Sequence, residues 1–325
     1  MLRKEVVKRS IHFENPEYPP LMYYGTDRIE KSDAVCMAVE NMYGGEDGRT
    51  TEWGFKWKEG DGDFKLGIVQ EPIIYDWEDL DDYKPLDAKR ADRFDHCKEL
   101  MAKYPDKYWI ADFVLSGFTI MSFMRGFEDF MADMIVEREN VERLADIVFK
   151  AEEDLIRECA AQGFDAICLA DDWGTQTSLL ISREMIKDIF MPRYKSQIEL
   201  AHSLGMDVIM HSCGRIIDII EDFIEIGLDV INPGQPILNG IEELGRRFGG
   251  RICFAPPIGY QTTAIHGTVE DIYAEVKSYI DNFYAGHDGG FLGFVASFNG
   301  IYSLGAPEEN ARAVEAAFEK YAGKR

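Results

Sequence analysis

The sequence predicts an α/β protein of the (β/α)8 barrel type with a β-hairpin added near the N-terminus. Three observations predict it. Short apolar runs recur along the chain, most of them ending in glycine, serine or aspartate, and from residue 107 onward amphipathic helical stretches separate them. Counting the runs gives eight, which favours a closed parallel barrel over an open doubly wound sheet. No G-x-G-x-x-G follows an early run, so the usual sign of a dinucleotide-binding sheet is missing.

In chain order, the first two strands are expected at residues 20–24 and 35–39. Glu52-Trp53-Gly54-Phe55-Lys56-Trp57 and Phe64-Lys65-Leu66-Gly67-Ile68-Val69 flank Gly60-Asp61-Gly62-Asp63, a hairpin pattern with turn residues at its tip. The acidic stretch 77–83 reads as a solvated surface segment. The remaining strands are expected at 108–115, 166–170, 208–210, 230–231, 252–255 and 291–296. Helices are expected at 141–162, 182–204 and 268–284, the last opened by Thr268 and Asp271 as a capping pair. The chain therefore reads as one barrel domain over residues 1–325, with a decorated part at 1–106 and regular strand-helix repeats at 107–325.

With 325 residues, of which 46% are hydrophobic, the chain is long enough to bury a large core. Its formal net charge of -24 disfavours nucleic acid and anionic membrane surfaces as partners. Six scattered cysteines without a recognisable leader read as reduced thiols, and no apolar run reaches the ~18 residues of a membrane span. A soluble, cytoplasmic protein acting on a small molecule is the expectation.

In such barrels the chemistry gathers at the carboxyl ends of the strands. After the run at 166–170 come Asp171, Asp172 and Gln176; after 208–210, His211 and Cys213; after 230–231, Asn232 and Gln235; after 291–296, Ser297 and Asn299. His211 and Cys213 stand two residues apart on one strand, so an imidazole and a thiol share a face and suit zinc. An ionised carboxylate in a barrel mouth needs a partner or a metal, which makes one of Asp171 and Asp172 a candidate ligand or general base. Cys253 falls within a strand and reads as core, while Cys36, Cys97, Cys159 and Cys168 read as packing or surface thiols. His202 reads as structural and His12 as solvated.

These residues carry a family resemblance. Asp171-Asp172-Trp173-Gly174-Thr175-Gln176, Leu179-Leu180-Ile181-Ser182, Pro192-Arg193-Tyr194-Lys195, Ala201-His202 with Gly205, and His211-Ser212-Cys213-Gly214 resemble, in order, the central block of the uroporphyrinogen decarboxylase superfamily. The closer branch is the corrinoid-linked, methyltransferase-like one. Ile11-His12-Phe13-Glu14-Asn15-Pro16 and the segments Gly289-Gly290-Phe291 and Pro307-Glu308-Glu309-Asn310 resemble the superfamily's ends. The resemblance implies a barrel with a deep cleft at its rim, and dimers are common among relatives.

The chain departs from both better-known branches. Where true decarboxylases carry an arginine-rich segment for a polycarboxylate substrate, this sequence reads Asn15-Pro16-Glu17-Tyr18-Pro19-Pro20, and only Arg125 and Arg215 lie near predicted rim loops. The methyltransferase branch binds zinc through His-x-Cys and a later cysteine, and holds a thiol that attacks a methyl group carried by a corrinoid protein. By that resemblance His211 and Cys213 match the first two ligands, whereas Ala296-Ser297-Phe298-Asn299 offers no third, leaving Asp172 as first candidate. The expected function is zinc-type, corrinoid-linked methyl transfer, with a corrinoid protein as partner. Asn232, Gln176, Gln235, Ser297 and Asn299 are expected to bind substrate. The alternatives are metal-free decarboxylation of an acidic, tetrapyrrole-like substrate and a non-catalytic corrinoid- or tetrapyrrole-binding barrel. Trp53, Phe55, Trp57, Tyr75, Trp77 and Tyr83 are expected either to form an interface, as in a homodimer, or to cover the barrel.

Overall fold

The computed structural model describes residues 1–26, 28–58 and 69–323. Its core is a parallel sheet whose strands, with the hairpin pair numbered in sequence, are β1 (Leu21–Tyr23), β2 (Ala34–Ala38), β5 (Tyr108–Phe113), β6 (Ala166–Ala170), β7 (Asp207–Ser212), β8 (Val230–Pro233), β9 (Cys253–Phe254) and β10 (Gly293–Val295); β3 (Lys56–Trp57) and β4 (Val69–Glu71) form the decoration. The order β10-β1-β2-β5-β6-β7-β8-β9 is closed by bonds from Phe254 N–H to Gly290 O and from Leu292 N–H to Phe254 O, both 2.9 Å. All eight expected strands are present, each at an apolar run. Helices cover the outside, led by Arg138–Gln162, which ends on Gly163 in the left-handed conformation.

Register explains why both faces of these strands read as apolar. Odd-numbered positions of β5 and β6, such as Phe113 and Leu169, and even-numbered positions of the offset strand β7, such as Met210, pack outward under helices, while Ile110, Ala166, Ile209 and Val230 pack inside. The floor of the barrel is plugged by a helix that the sequence reading did not anticipate, Arg3–Ile11, whose Val7 and Ile11 join the interior cluster with Met22, Ala34 and Tyr108. Ser10 Oγ donates to Phe291 O at 2.6 Å and Lys4 pairs with Asp165 at 2.5 Å, fixing the plug to the strand starts.

Between β2 and β5, β3 and β4 pair antiparallel with Trp57 opposite Val69, as the hairpin pattern predicts; its expected turn at 60–63 lies outside the described residues. Trp53, Phe55 and Trp57 are fully buried, and Phe55, Trp57 and Phe123 meet edge to face at 5.3–5.7 Å. Of the six aromatics considered for an interface, these three cover the barrel's flank, and Tyr75 is exposed. The acidic stretch is more ordered than expected. It forms a 3-10 turn, Trp77–Asp81, that buries Leu80 and sets Trp77 beneath the Arg125 guanidinium at 5.2 Å.

The expected helix at 182–204 is continuous but widened by a π-helical turn at Ile186–Phe190, and that at 268–284 ends in another at Ile280–Tyr284. Thr268 and Asp271 form a reciprocal capping box. No helix among the described residues is long and apolar enough to cross a membrane.

Candidate metal centre

At the carboxyl end of the barrel, inward-facing positions are open while their outward-facing neighbours are buried. Cys36, Asp112, Cys168, Ala170, His211 and Phe294 are half-buried, and Tyr24 is exposed, so the upper interior forms a cup. Its polar wall is set by the end of β7. His211 and Cys213 share a face as their spacing requires, with Nε2 and Sγ 3.5 Å apart, and both are half-buried.

Asp172 completes the group: one ligand atom each from Asp172, His211 and Cys213 lies within 4.8 Å of the others. Its carboxylate is held in place by the Cys213 N–H, 2.8 Å from Oδ1, and its own N–H donates to Thr119 Oγ1 at 3.1 Å. Asp171 points the other way. It is fully buried behind the sheet and accepts from Phe118 N–H and Thr119 N–H at 2.8 Å, from Thr119 Oγ1 at 2.6 Å, and from the Tyr194 hydroxyl. Consecutive strand-end residues face opposite sides, so of the two aspartates expected as catalytic only Asp172 reaches the cup; Asp171 anchors the start of helix Gly117–Arg125.

Asn232, expected to orient substrate, is committed to His211. His211 Nδ1 donates to Asn232 Oδ1, and the Asn232 amide is itself oriented by donating to Ala255 O. This pair places the ring proton on Nδ1 and leaves the Nε2 lone pair facing Cys213 and Asp172. Gln235 is likewise used locally, its Oε1 accepting the Gly214 N–H at 2.5 Å, while its side chain also reaches the Cys213 sulfur. Gln176 is exposed at the turn closed by Thr175, and Ser297 caps helix Phe298–Ser303 through Gly300 N–H at 3.0 Å. Ser297 and Asn299 line a separate cavity of about 640 Å³ with Tyr23, Arg28, Arg312 and Glu319. None of Gln176, Ser297 and Asn299 joins the His211–Cys213 group.

The three donors fit zinc. A tetrahedral ion with bonds of ~2.0 Å to nitrogen and ~2.3 Å to sulfur spans an N···S edge of about 3.6 Å, and the separation here is 3.5 Å. Space is kept clear by Gly234, where an added Cβ would lie 2.9 Å from Cys213 Sγ and 3.2 Å from His211 Cε1. Burial, followed by the Asp172 charge, pushes the Cys213 thiol up to about 12. Without a cation this pair is mutually repulsive; with one, both become ligands. Three protein ligands leave a fourth position for an exchangeable group.

A second His/Asp group sits at the opposite end of the barrel, and the same distance test gives a different answer. His12 Nε2 lies 2.9 Å from Asp207 Oδ1, and His202 Nε2 lies 2.8 Å from Asp229 Oδ2. These are hydrogen-bond distances, shorter than the ~3.4 Å N···O edge of a zinc tetrahedron. His12, expected to be solvated, is thus an ion-pair partner of the floor, and His202 is structural as expected. A cavity of about 860 Å³ along helix Arg138–Gln162 is lined by paired surface charges such as Arg143 and Lys150 and lies outside the barrel.

The two rim arginines are both engaged. Arg125 pairs with Asp133 at 2.7 Å and donates to the Ile74 and Tyr75 carbonyls, and Arg215 pairs with Asp218. Neither stands ready for a substrate with several carboxylates. Sequence reasoning missed Asp112, an acid inside the run 108–115; a charge interrupting an apolar strand was the available signal.

Comparison with known proteins places the chain in a family. The uroporphyrinogen decarboxylase (URO-D) family model matches residues 54–321. A methyltransferase from Methanosarcina mazei has the same fold, with a TM-score of 0.73 at 18% identity over 99% of each chain. Lower scores relate the chain to a B12-independent methionine synthase from Shewanella sp. W3-18-1 (TM-score 0.47, 12% identity, 70% of this chain and 67% of that one). D-psicose 3-epimerase from Clostridium cellulolyticum H10 is similarly distant (TM-score 0.48, 10% identity, 94% and 98%). No curated protein sequence matches. With its family model covering most of the barrel, the chain belongs to the uroporphyrinogen decarboxylase family.

Proposed function

We propose that this protein is an enzyme that transfers a methyl group at a zinc site made by His211, Cys213 and Asp172, in concert with a corrinoid carried on a partner protein. The observation that carries the reading is the fixed His211 tautomer, with Nε2 presented 3.5 Å from Cys213 Sγ and the Asp172 carboxylate beside them. The fold shared with the Methanosarcina mazei methyltransferase supports it as a likeness of architecture.

A bound zinc supplies a Lewis-acid contact that lowers the pKa of a thiol or water at its open position. The chain's own residues do the rest. Asn232 holds the imidazole proton away from the ion, and Gln235 and the Cys213 N–H bond to Asp172 fix the loops. Asp172 is the residue we propose as third ligand, because its carboxylate lies within 4.8 Å of the His211 and Cys213 ligand atoms. Decarboxylation of a polycarboxylate receives no support from Arg125 and Arg215, whose charges are already matched.

The test is metal content. Purified protein is expected to hold about one zinc per chain by elemental analysis, and the His211→Ala, Cys213→Ala double variant none. Equal occupancy in the two would overturn the assignment. Methyl transfer from a methylated corrinoid protein to a thiol, lost in the same variant, tests the reaction itself.

A further inference from the structure

Apart from Met1, Leu2 and Leu204, every large apolar side chain exposed among the described residues lies in a segment that leaves the carboxyl end of a strand. They concentrate on helix Phe127–Val136, which follows β5. Phe127, Met131 and Ile135 stand four residues apart and form one row, with Val136 in the adjoining row. Ile135 and Val136 are 76% and 71% exposed, Phe127 is exposed and Met131 is half-buried. Exposed Tyr75 extends this face at the helix start, where Ile73 and Ile74 N–H donate to Met124 O at 2.8 and 2.9 Å and Arg125 donates to Tyr75 O. Soluble monomers rarely leave a contiguous apolar face of this kind bare, and where one is present it marks a contact surface.

The inner face of the same helix is tied to the metal centre. Phe130 meets Phe118 with ring centroids 5.7 Å apart, and Phe118 meets Trp173, the residue after Asp172, at 4.8 Å. A body seated on the exposed row therefore rests on the wall that carries a proposed ligand.

Charge decides what that body is. Asp76, Glu78, Glu128, Asp129 and Glu137 flank the row in the chain, all exposed and none with an ion-pair partner among the described residues. The neighbouring bases are already matched, Arg125 with Asp133 at 2.7 Å and Arg138 with Glu142 at 2.5 Å. A second copy docking through a two-fold axis would bring the same patch of both subunits together and set these acids against themselves. The formal net charge of -24 adds to that repulsion. A partner whose apolar surface is bordered by lysine and arginine meets the opposite field.

We infer that helix Phe127–Val136 and Tyr75 form the docking surface for the protein partner that brings the methyl group, and that this partner meets them with an apolar face bordered by basic side chains. That the partner carries a methyl group rests on the proposed reaction; that a protein docks here stands on the exposed row and the acids around it.

Two capped, fluorescently labelled amphipathic helical peptides test the surface, both with a leucine face, one with lysine and the other with glutamate at the remaining positions. In fluorescence anisotropy at physiological ionic strength, the leucine–lysine peptide is expected to bind the full chain at least about tenfold more tightly than the leucine–glutamate peptide. The Ile135→Ser, Val136→Ser variant, altered only at exposed positions, is expected to weaken the leucine–lysine peptide by about tenfold or more at unchanged circular dichroism and zinc content. Leu204→Ser, at the other end of the barrel, should leave that affinity as it was. Absence of binding, equal binding of the two peptides, or leucine–lysine binding that ignores the double variant would each overturn the inference, the last marking mere attraction to an acidic protein. So would sedimentation of the chain alone as a dimer that the double variant dissociates, since a second copy would then be the occupant. A protein that holds no zinc yet shows the variant-sensitive peptide preference upholds the docking surface and counts against the metal site alone, so the two failures are told apart.

Discussion

At the scale of single residues, the proposed zinc centre depends on two residues outside its ligand set, Asn232 and Gly234. Asn232 determines which nitrogen of His211 carries the proton, because its own amide is oriented by Ala255 O. Asn232→Ala is therefore expected to cost about 10- to 100-fold in zinc affinity, measured by competition with a chelator, with the fold intact by circular dichroism. Gly234→Ala would bring a methyl group 2.9 Å from Cys213 Sγ, and a similar loss of zinc is expected without any ligand being removed. Asp171 and Asp172 make the opposite pair. Asp171→Ala leaves four buried donors unmatched and is expected to destabilise the fold by on the order of 3 kcal/mol in urea denaturation while sparing zinc per folded molecule; Asp172→Ala should do the reverse. Neighbouring aspartates are indistinguishable as letters. Their separation comes from strand parity, which becomes visible only when the register of β6 is known.

Among the elements, strands were the most legible part of the chain. Each of the eight is a local apolar run, and a strand buried on both faces advertises itself without needing its neighbours. The helix Arg3–Ile11 was not legible, since its four basic residues mask the buried face formed by Val6, Val7 and Ile11, and that face exists only because an open barrel floor awaits it. The pairing of His211 with Cys213 was read from their spacing at the end of a predicted strand and from the family resemblance, whereas Asn232 and Gln235 looked like substrate contacts because their partners lie just after β9 and in the loop after β7. Asp112 was overlooked for a related reason. Inside an apolar run it reads as strand, and only the register of β5, whose Ile110 packs in the barrel interior, turns it inward.

For the whole molecule, the two barrel ends are expected to respond to different variables, the mouth to the proposed metal and the floor to pH. His12 and His202 are held above the ordinary histidine range, chiefly by their hydrogen bonds to Asp207 and Asp229. A raised folded-state pKa stabilises fully below the unfolded value near 6.5 and is lost as pH rises through the folded value. Melting temperature is expected to fall from pH 6 to pH 9, by a contribution of about 0.5 kcal/mol per pair given their exposure, and a His12→Ala, His202→Ala protein should show a shallower slope over that window.

The loops bearing Asp172 and Cys213 are joined main chain to main chain, Gly174 N–H to Cys213 O at 3.1 Å and Arg215 N–H to Thr175 O at 2.8 Å, at a point where neither Gly174 nor Gly214 has room for a side chain. Such a seam turns two strand ends into one preassembled claw whose ordering entropy is met when the barrel folds. Metal capture should then proceed without loop rearrangement, and a library of substitutions across the rim would find these two glycines among its least forgiving positions.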